Sequence, residues 1–328
     1  MNMNDLSLEN DGLDVVTFGE AMAMFIACTP GELATVEQFV KKAAGAELNV
    51  AVGLARLGLQ SGWMSRLGDD SLGQFIQQTL AKAQINHEAV VIDRHYPTGF
   101  QLKSKTQNGT DPIVEYFRKG SAASRLSIAD FNQAYFTRAR HLHLTGVAAA
   151  LSESSFALCE YAARWMRQAG KSISFDPNLR PSLWPSEAVM VEKLNQLACL
   201  SDIVLPGISE GERLTGYQSP EQIANFYLTQ GVQIVIVKTG AKGAYYQTIQ
   251  GDQGVVSACV VDHVVDTVGA GDGFAVGVIS ALLEGLSVRE AAERGNYIGA
   301  RAIRFIGDSE GLPTREELNQ EMASALTL

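Results

Sequence analysis

The sequence predicts an α/β fold, in which a mainly parallel β-sheet is flanked by helices on both faces. Short apolar runs rich in β-branched residues alternate with longer runs of helical periodicity, which is typical of βαβ units. Two helix starts carry capping signals. Ser219 precedes Pro220 as an N-cap precedes proline at the first helical position, and Ser287 is followed three residues later by Glu290.

The predicted elements follow one another along the whole chain. Strands are expected at 15–18, 173–175, 203–205 and 234–237, and helices at 156–168, 187–199, 221–230 and 274–283. In a sheet of this kind, ligands bind at the edge formed by the carboxyl ends of the strands.

A different pattern occupies residues 92–117. Two strand-like runs flank a loop rich in turn residues, which predicts a hairpin that projects from the α/β body. Together with part of 22–33, this hairpin is expected to form a small sheet that acts as a lid. A plain surface hairpin is the alternative.

Chain length and composition set the number of domains. The 328 residues, 46% of them hydrophobic, suffice for one large domain or for one domain with a small appendage. We expect a single α/β domain at 12–315, with the lid built from about 20–34 and 92–118, and a flexible N-terminus at 1–11.

Composition also excludes several classes of function. The net charge of −10 argues against a nucleic-acid binder, although a local phosphate site is compatible with it. The four cysteines are scattered and the histidines lack metal-site spacing, so reduced thiols are expected. No apolar run is long enough to span a membrane and no signal peptide is visible, so we expect a cytoplasmic protein without a membrane partner.

The most informative segment is residues 266–273, Asp-Thr-Val-Gly-Ala-Gly-Asp-Gly, which leads into the apolar helix. A glycine turn that opens a helix is a ready anion site, because the first N–H groups lack intrahelical partners and the helix dipole favours negative charge. On the first turn, the Asp272 carboxylate can accept a proton from a hydroxyl that attacks a phosphate. An ordinary helix N-terminus with an acidic residue is the alternative.

Two further motifs are candidates for a substrate site. At 44–58, a helix bounded by Gly45 and Gly58 carries Asn49 in its first turns, where the amide can hydrogen-bond a sugar hydroxyl; a capped amphipathic helix is the alternative. At 115–122, Arg118 follows an aromatic strand of the expected lid, which suits an anionic substrate; a solvated basic turn is the alternative.

Two more motifs follow strands of the main sheet. The strand at 173–175 leads into Asp176, Asn178 and Arg180, whose amide and guanidinium groups can bind phosphate, carboxylate or metal-bound water; a turn with a structural ion pair is the alternative. The run at 237–244, Val-Lys-Thr-Gly-Ala-Lys-Gly-Ala, can wrap nucleotide phosphates; a β-turn between hairpin strands is the alternative.

Taken together, these motifs resemble the ribokinase-like (PfkB) family of carbohydrate kinases, from residue 15 to about residue 313. Residues 45–58 resemble the family's N-terminal signature, and 266–272 resemble its C-terminal signature, Asp-Thr-x-Gly-Ala-Gly-Asp. The resemblance implies a ribokinase-like, doubly wound sheet with a small β-sheet lid. It also implies phosphorylation of a sugar hydroxyl by ATP with Mg²⁺, with Asp272 as the base. The γ-phosphate would lie in an anion hole formed by Gly269, Ala270 and Gly271.

Within the family, the sequence most resembles the 2-keto-3-deoxygluconate kinases, through residues 97–99, 116–122, 176–184 and 205–211. This resemblance implies phosphorylation of that sugar acid to its 6-phosphate. The alternatives are a fructokinase or another neutral-sugar kinase, and a non-catalytic sugar-binding regulator on the same fold. The implied sugar site comprises Gly45, Ala46, Glu47, Leu48, Asn49, Gln101, Tyr116, Phe117, Arg118, Arg180 and Asp272. The implied nucleotide site comprises Asn178, Arg180, Lys238, Thr239, Gly240, Gly243, Gly269, Ala270, Gly271 and Asn296.

Ions and assembly complete the expectations from the resemblance. The family's Asn-x-x-Glu motif, associated with Mg²⁺, is Gly207-x-x-Glu210 here, so only Glu210 is expected to act on Mg²⁺, and indirectly. Backbone carbonyls near Asp266 are expected to hold a monovalent cation such as K⁺, as in some relatives. Many members of the subgroup have an aromatic residue where this chain has Gln101, which leaves the sugar preference open. Edge strands on the lid predict a homodimer formed by lid pairing, or a larger homo-oligomer.

Overall fold

Two β-sheets, one large and one small, organise the fold. The computed structural model describes residues 12–105 and 112–325. Its strands are β1 Leu13–Phe18, β2 Met22–Ala27, β3 Phe39–Ala44, β4 Ser61–Gly68, β5 Val90–Asp93, β6 Phe100–Lys103, β7 Val114–Phe117, β8 Ala139–Thr145, β9 Ser172–Asp176, β10 Ile203–Val204, β11 Ile234–Lys238, β12 Ala244–Thr248 and β13 Gln253–Val256.

The helices lie between and after these strands. They are α1 Ala46–Arg56, α2 Ser71–Lys82, α3 Gln133–Arg138, α4 Gly146–Ala150, α5 Glu153–Gln168, α6 Glu187–Leu200, α7 Ile208–Thr215, α8 Pro220–Leu228, α9 Ala270–Leu283, α10 Val288–Ala302 and α11 Arg315–Ala325. In the part of the chain that the structure describes, none of them combines the length and apolar character needed to cross a bilayer.

The large sheet is mainly parallel, as predicted. Its nine strands follow the order β13-β12-β11-β10-β9-β8-β1-β4-β5. Every pairing from β11 to β5 is parallel, and β12 and β13 extend this sheet with antiparallel pairings. The four predicted strands correspond to β1, β9, β10 and β11, and the four predicted helices to α5, α6, α8 and α9.

Both faces of the large sheet are buried under helices. Along β11, Val235 and Val237 belong to one apolar cluster, whereas Ile236, between them, belongs to a second cluster on the opposite face. Helices α5, α6 and α8 contribute to the first cluster, and α1, α9 and α10 to the second. Each fully buried aliphatic side chain contributes about 1.5–3 kcal/mol to stability. This packing explains why the predicted strands are continuous apolar runs rather than alternating ones.

The small sheet has the order β3-β2-β6-β7, and the predicted hairpin forms its β6–β7 pair. Strand β2 pairs in parallel with β6 and antiparallel with β3. Strand β3 was not predicted, because it is an edge strand whose central residues, Lys41 and Lys42, interrupt any hydrophobic alternation. Charged residues on an edge strand are typical, since they discourage pairing with another chain.

Candidate active site

A cleft of about 1150 Å³ lies between the large and small sheets. Its floor is formed at the carboxyl ends of β9, β10 and β11, where Asp176, Gly207 and Lys238 line it. From the small sheet, Gln101 and Arg118 face the same space. The cleft therefore lies at the edge of the sheet where the topology predicts a ligand.

The N-terminus of α9 opens into this cleft. Gly269 is the N-cap and has a φ of +85°, a backbone conformation that favours glycine. A Cβ atom there would also clash with the backbone oxygen of Asp308. Gly269, Ala270 and Gly271 all line the cleft, and the first N–H groups of a helix have no intrahelical acceptor. The segment thus has the geometry of an anion hole.

Asp272, on the first turn of α9, is 8% exposed and faces the cleft. Its Oδ2 accepts a hydrogen bond from Asn49 Nδ2 at 2.7 Å, and its Oδ1 accepts one from Asn178 Nδ2 at 3.3 Å. Burial raises the pKa of Asp272 to about 7; the Asn49 hydrogen bond opposes this shift, and the negative charges of Asp176 and Asp308 add to it. A carboxylate with this pKa is suited to accept a proton near neutral pH.

If Asp272 is the catalytic base, as the sequence predicts, its raised pKa should make the reaction rate depend on pH. A base works only when ionised, and the ionised fraction of Asp272 falls as the pH drops through its folded pKa of about 7. We therefore expect kcat/KM to fall about tenfold per pH unit below that pH. The measurement is the pH profile of kcat/KM, with ADP quantified directly. A rate that stayed constant down to about pH 5 would indicate a base with an ordinary carboxyl pKa.

Two glycines of the N-terminal signature bring Asn49 to Asp272. Gly45 is the N-cap of α1 with a φ of +150°, and a Cβ atom there would clash with the backbone oxygen of Glu20. Further along α1, a Cβ at Gly53 would lie 2.5 Å from Val276 Cγ2 of α9. Both glycines permit close approach, so the two helix N-termini converge and the amide meets the carboxylate.

A lysine–aspartate pair lies beside the anion hole. Lys238 Nζ is 2.8 Å from Asp176 Oδ2, and a Cβ on Gly271 would lie 3.7 Å from the same ammonium. Burial alone would lower the pKa of Lys238, but the carboxylates of Asp176 and Glu210 outweigh it and raise the pKa. A permanent positive charge therefore borders the position that an anion would take.

Arg180 and Asn178 extend the polar rim beyond β9. Asn178 has a φ of +38°, a conformation that asparagine tolerates better than most residues, and this turn directs its amide towards Asp272. Arg180 is exposed, and its Nη1 donates to the Leu179 carbonyl at 2.9 Å. Both side chains line the cleft, as the resemblance implied.

Arg118 is the cation on the small-sheet side of the cleft. Its Nε donates to Glu20 Oε2 at 2.6 Å, and the other oxygen of Glu20 accepts a hydrogen bond from the Ser121 hydroxyl. The Arg118 Nη2 atom is buried and has no hydrogen-bond partner within the described residues. A buried, unpaired guanidinium nitrogen is costly unless a ligand binds it.

The structure also indicates how a divalent cation would be bound. Both oxygens of Glu210 already accept backbone hydrogen bonds, from Leu179 N at 2.9 Å and Gly207 N at 2.7 Å. Among the described residues, no group of three acidic, histidine or cysteine side chains could hold a metal ion. This arrangement fits Mg²⁺ held mainly by substrate phosphates and water, with Glu210 acting through water.

Five residues of the implied site do not line the cleft, and one of them is Asp266, the expected monovalent-cation residue. Glu47 is fully buried; it accepts hydrogen bonds from the Thr145 hydroxyl and, at 3.1 Å, from Ala148 N. Leu48 belongs to an apolar cluster. Phe117 stacks on Phe100 on the other face of the small sheet. Thr239 is also absent from the lining.

The remaining implied residues are in the cleft. They are Gly45, Ala46, Asn49, Gln101, Tyr116, Arg118, Asn178, Arg180, Glu210, Lys238, Gly240, Gly243, Gly269, Ala270, Gly271, Asp272 and Asn296.

Sequence reasoning missed three charged residues of the site. Glu20 holds Arg118, whereas Lys103 and Asp308 form an ion pair beneath the anion hole. The cleft-facing position of Lys103 could have been predicted from the sequence, because Lys103 lies two residues after Gln101 on one strand and therefore on the same face.

The fold and this cleft define a kinase class in which a carboxylate stands beside a helix-terminal anion hole. Residues 13–315 match the pfkB family carbohydrate kinases, and the chain belongs to this family. It is 52% identical to a 2-dehydro-3-deoxygluconokinase of Bacillus subtilis (strain 168), covering 96% of this chain and 97% of that relative.

Solved structures agree with this assignment. A PfkB protein from Polaromonas sp. JS666 is 51% identical, has a TM-score of 0.87, and is matched over 94% of this chain and 99% of its own. A fructokinase from Vibrio cholerae O395, solved with fructose, ADP and calcium ion, is 28% identical with a TM-score of 0.83. The match covers 94% of this chain and 99% of the fructokinase chain. The chain is a carbohydrate kinase with the ribokinase-like fold.

Proposed function

We propose that this kinase transfers the γ-phosphoryl group of ATP to the 6-hydroxyl of 2-keto-3-deoxygluconate. The observation that carries the proposal is the pairing of two groups across one cleft: a base, Asp272, beside the anion hole, and a cation, Arg118, with a free guanidinium nitrogen. A sugar acid has a hydroxyl at one end and a carboxylate at the other. The 52% identity to a 2-dehydro-3-deoxygluconokinase supports the same substrate.

In this proposal, Asp272 accepts the proton of the sugar's terminal hydroxyl as its oxygen attacks the γ-phosphorus. A new P–O bond forms while the bond from phosphorus to the ADP oxygen breaks, and the proton stays on Asp272. Asn49 and Asn178 donate to the carboxylate and so orient it. Such positioned proton transfer contributes about 10²–10⁴-fold to the rate.

The transferring phosphoryl group is stabilised by the N–H groups at Gly269, Ala270 and Gly271 and by the nearby Lys238 ammonium. Preorganised donors of this kind stabilise charge without having to reorganise during the reaction. Glu210 would orient the water ligands of a Mg²⁺ ion bound with the nucleotide, and that ion would neutralise phosphate charge. The small sheet acts as a lid that excludes water from the cleft.

At the nucleotide end of the cleft, several residues line a space suited to the base and ribose of ATP. Gly240, Gly243 and Asn296 lie there, and apolar residues such as Val260 and Ile303 add non-polar surface. The Asn296 amide donates to Ser257 O at 3.0 Å, which steadies the loop after β13. Apolar walls with few polar groups are typical of nucleobase pockets.

The outer face of the small sheet supports a homodimer or a larger homo-oligomer. Phe100 stacks on Phe117 with ring centroids 4.6 Å apart, and Phe117 is 47% exposed. Phe25, on the neighbouring strand β2, packs edge-on against Phe100 on the same face. An exposed aromatic surface of this kind is typical of a protein contact.

A substrate panel tests the proposal. ADP formation is measured directly with 2-keto-3-deoxygluconate, its galactonate epimer, fructose and ribose at equal concentrations. We expect kcat/KM for the two sugar acids to exceed that for the neutral ketose by at least about tenfold, the scale of one charge-assisted hydrogen bond. A preference for fructose would favour the fructokinase alternative, and no ADP with any sugar would favour a binding regulator.

A further inference from the structure

A buried ion cluster lies directly beneath the anion hole. Lys103 Nζ is 2.6 Å from Asp266 Oδ2 and 3.2 Å from Asp308 Oδ1. Lys103 is 2% exposed, and both carboxylates are almost as deeply buried. Burial alone would lower the pKa of Lys103, but the two carboxylates outweigh it and raise the pKa, so the ammonium stays charged.

The three members of the cluster come from three separate segments. Lys103 ends strand β6 of the small sheet. Asp266 lies three residues before Gly269, and its backbone N–H donates to the carbonyl of Ile303 at 3.2 Å, at the end of α10. The backbone of Asp308 packs so tightly against Gly269 that no Cβ fits between them. One ammonium therefore joins the small sheet to both supports of the anion-hole turn.

Without that ammonium, the two carboxylates would be buried close together with no positive partner. Like charges in a low-dielectric setting repel, and an uncompensated buried charge is strongly destabilising. The loops at 266–269 and 307–308 would then move apart. Since the N–H groups of the anion hole belong to the first of these loops, their geometry depends on the positive charge below them.

The family resemblance predicted a monovalent cation near Asp266, and the side chains found there do not fit one. Asp266 Oδ2 is occupied by Lys103 Nζ, and its Oδ1 accepts from Val268 N at 3.1 Å. The second acidic neighbour, Asp308, is shared with the same ammonium. A second cation at this carboxylate would lie next to the first and be repelled by it.

We propose that the Lys103 ammonium is a built-in cation that holds the anion-hole turn in position, so that phosphoryl transfer needs no monovalent ion. Lys103 is thus a positioning residue, which acts through Asp266, Asp308 and Gly269. The inference rests on the kinase reaction and not on which sugar is phosphorylated. It is therefore tested with whichever acceptor performs best in the substrate panel, and a wrong substrate assignment leaves it intact.

The first experiment measures the cation dependence of the unmodified enzyme. The protein is dialysed into a tetramethylammonium buffer with Mg²⁺, and NaCl or KCl is added at constant ionic strength. ADP is quantified directly, so that no coupling enzyme contributes its own ion requirement. We expect kcat to change by no more than about twofold when either salt is added. A change of that size would show that no transition-state interaction depends on the added ion. Activation of several-fold by K⁺ would overturn the proposal.

The second experiment removes the ammonium with Lys103→Met, which keeps an apolar stem of similar length. We expect kcat to fall roughly 10²-fold through misplacement of the anion hole, with a smaller effect on KM. K⁺ or NH₄⁺ should restore part of the lost kcat, whereas the larger tetramethylammonium should not. The matched control, Lys105→Met, changes an exposed lysine two residues further along the chain and should behave as the unmodified enzyme.

Two outcomes of the variant would contradict the proposal: wild-type kcat in a folded Lys103→Met protein, or a defect that no small cation relieves. If Lys103→Met does not fold, the double variant Lys103→Met/Asp308→Asn is used in the same assay instead. It removes one positive and one negative charge, so the buried cluster keeps the net charge of the unmodified protein. The cation titration of the unmodified enzyme decides the question independently of either variant.

Discussion

Asp272→Asn is expected to lower kcat by roughly 10²–10⁴-fold while leaving ATP affinity unchanged, because in the proposed mechanism it removes the general base and little else. The carboxylate faces the cleft beside the anion hole, and two amides, from Asn49 and Asn178, fix its orientation. Asparagine has nearly the same shape and so preserves the packing. The measurement is kcat from direct ADP quantification, together with the dissociation constant of ATP from calorimetry.

The stability of Asp272→Asn separates a chemical defect from a folding defect. The folded pKa of about 7 lies above the ordinary aspartate pKa of 3.8, so the folded state binds this proton more tightly than the unfolded state does. The stability associated with the protonated form is present below the lower pKa and is lost as the pH rises through the higher one. The variant cannot ionise and should therefore be at least as stable as the unmodified protein at pH about 8.

The matched control for this prediction is Asp69→Asn, which neutralises an exposed aspartate and should leave kcat unchanged. Near-normal turnover by Asp272→Asn would remove Asp272 from the role of base. A parallel loss of ATP affinity would instead mean that the carboxylate organises the nucleotide site.

Four strands of the large sheet, β1, β9, β10 and β11, were predictable because burial on both faces produces apolar runs that can be recognised without knowing the neighbouring strands. Strand β3 was not, since its stability comes from pairing at an edge and its side chains carry charge. The same distinction applies to the site. The signatures identified Asn49 and Asp272 separately, but their hydrogen bond joins residues 223 positions apart. The spacing of residues along one helix predicts which residues share a face, but it does not predict a contact with a residue on another helix.

The alternation of side chains along a strand predicts which residues of the small sheet can line the cleft. Residues 116 and 117 must point to opposite faces of the small sheet, so Tyr116 and Phe117 cannot both line the cleft. Conversely, Gln101 implies that Lys103 faces the cleft as well. Asp308, one of the two acidic partners of Lys103, lies in an irregular loop with no periodic pattern, and only the tertiary structure reveals it.

Arg118→Met is the second substitution with a large expected effect, and its effect should depend on the substrate. For a sugar acid, kcat/KM should fall roughly 10²-fold, because a partly buried, charge-assisted contact to the carboxylate is lost. For a neutral ketose that the enzyme accepts, the loss should stay within about threefold, since no charge pairs with the guanidinium. Methionine retains much of the apolar stem, although it removes the guanidinium carbon that lies 5.7 Å from the centroid of the Tyr116 ring.

A complication of Arg118→Met is that it leaves the buried Glu20 carboxylate with a single side-chain partner among the described residues, the Ser121 hydroxyl. The loss of activity could then arise from a displaced β2 strand rather than from substrate recognition. The double variant Arg118→Met/Glu20→Gln removes the unpaired charge and should regain thermal stability without regaining activity on the sugar acid. Lys119→Met, at the neighbouring exposed cation, is the matched control.

The ratio of the two losses separates these explanations. A general distortion of the cleft lowers kcat/KM for every sugar by the same factor, whereas loss of carboxylate recognition lowers it for sugar acids alone. Equal losses on the acid and the neutral ketose, persisting in the double variant, would contradict the role of Arg118 in substrate choice. A selective loss would make the unpaired Nη2 atom the group that distinguishes an acid kinase from a neutral-sugar kinase on this fold.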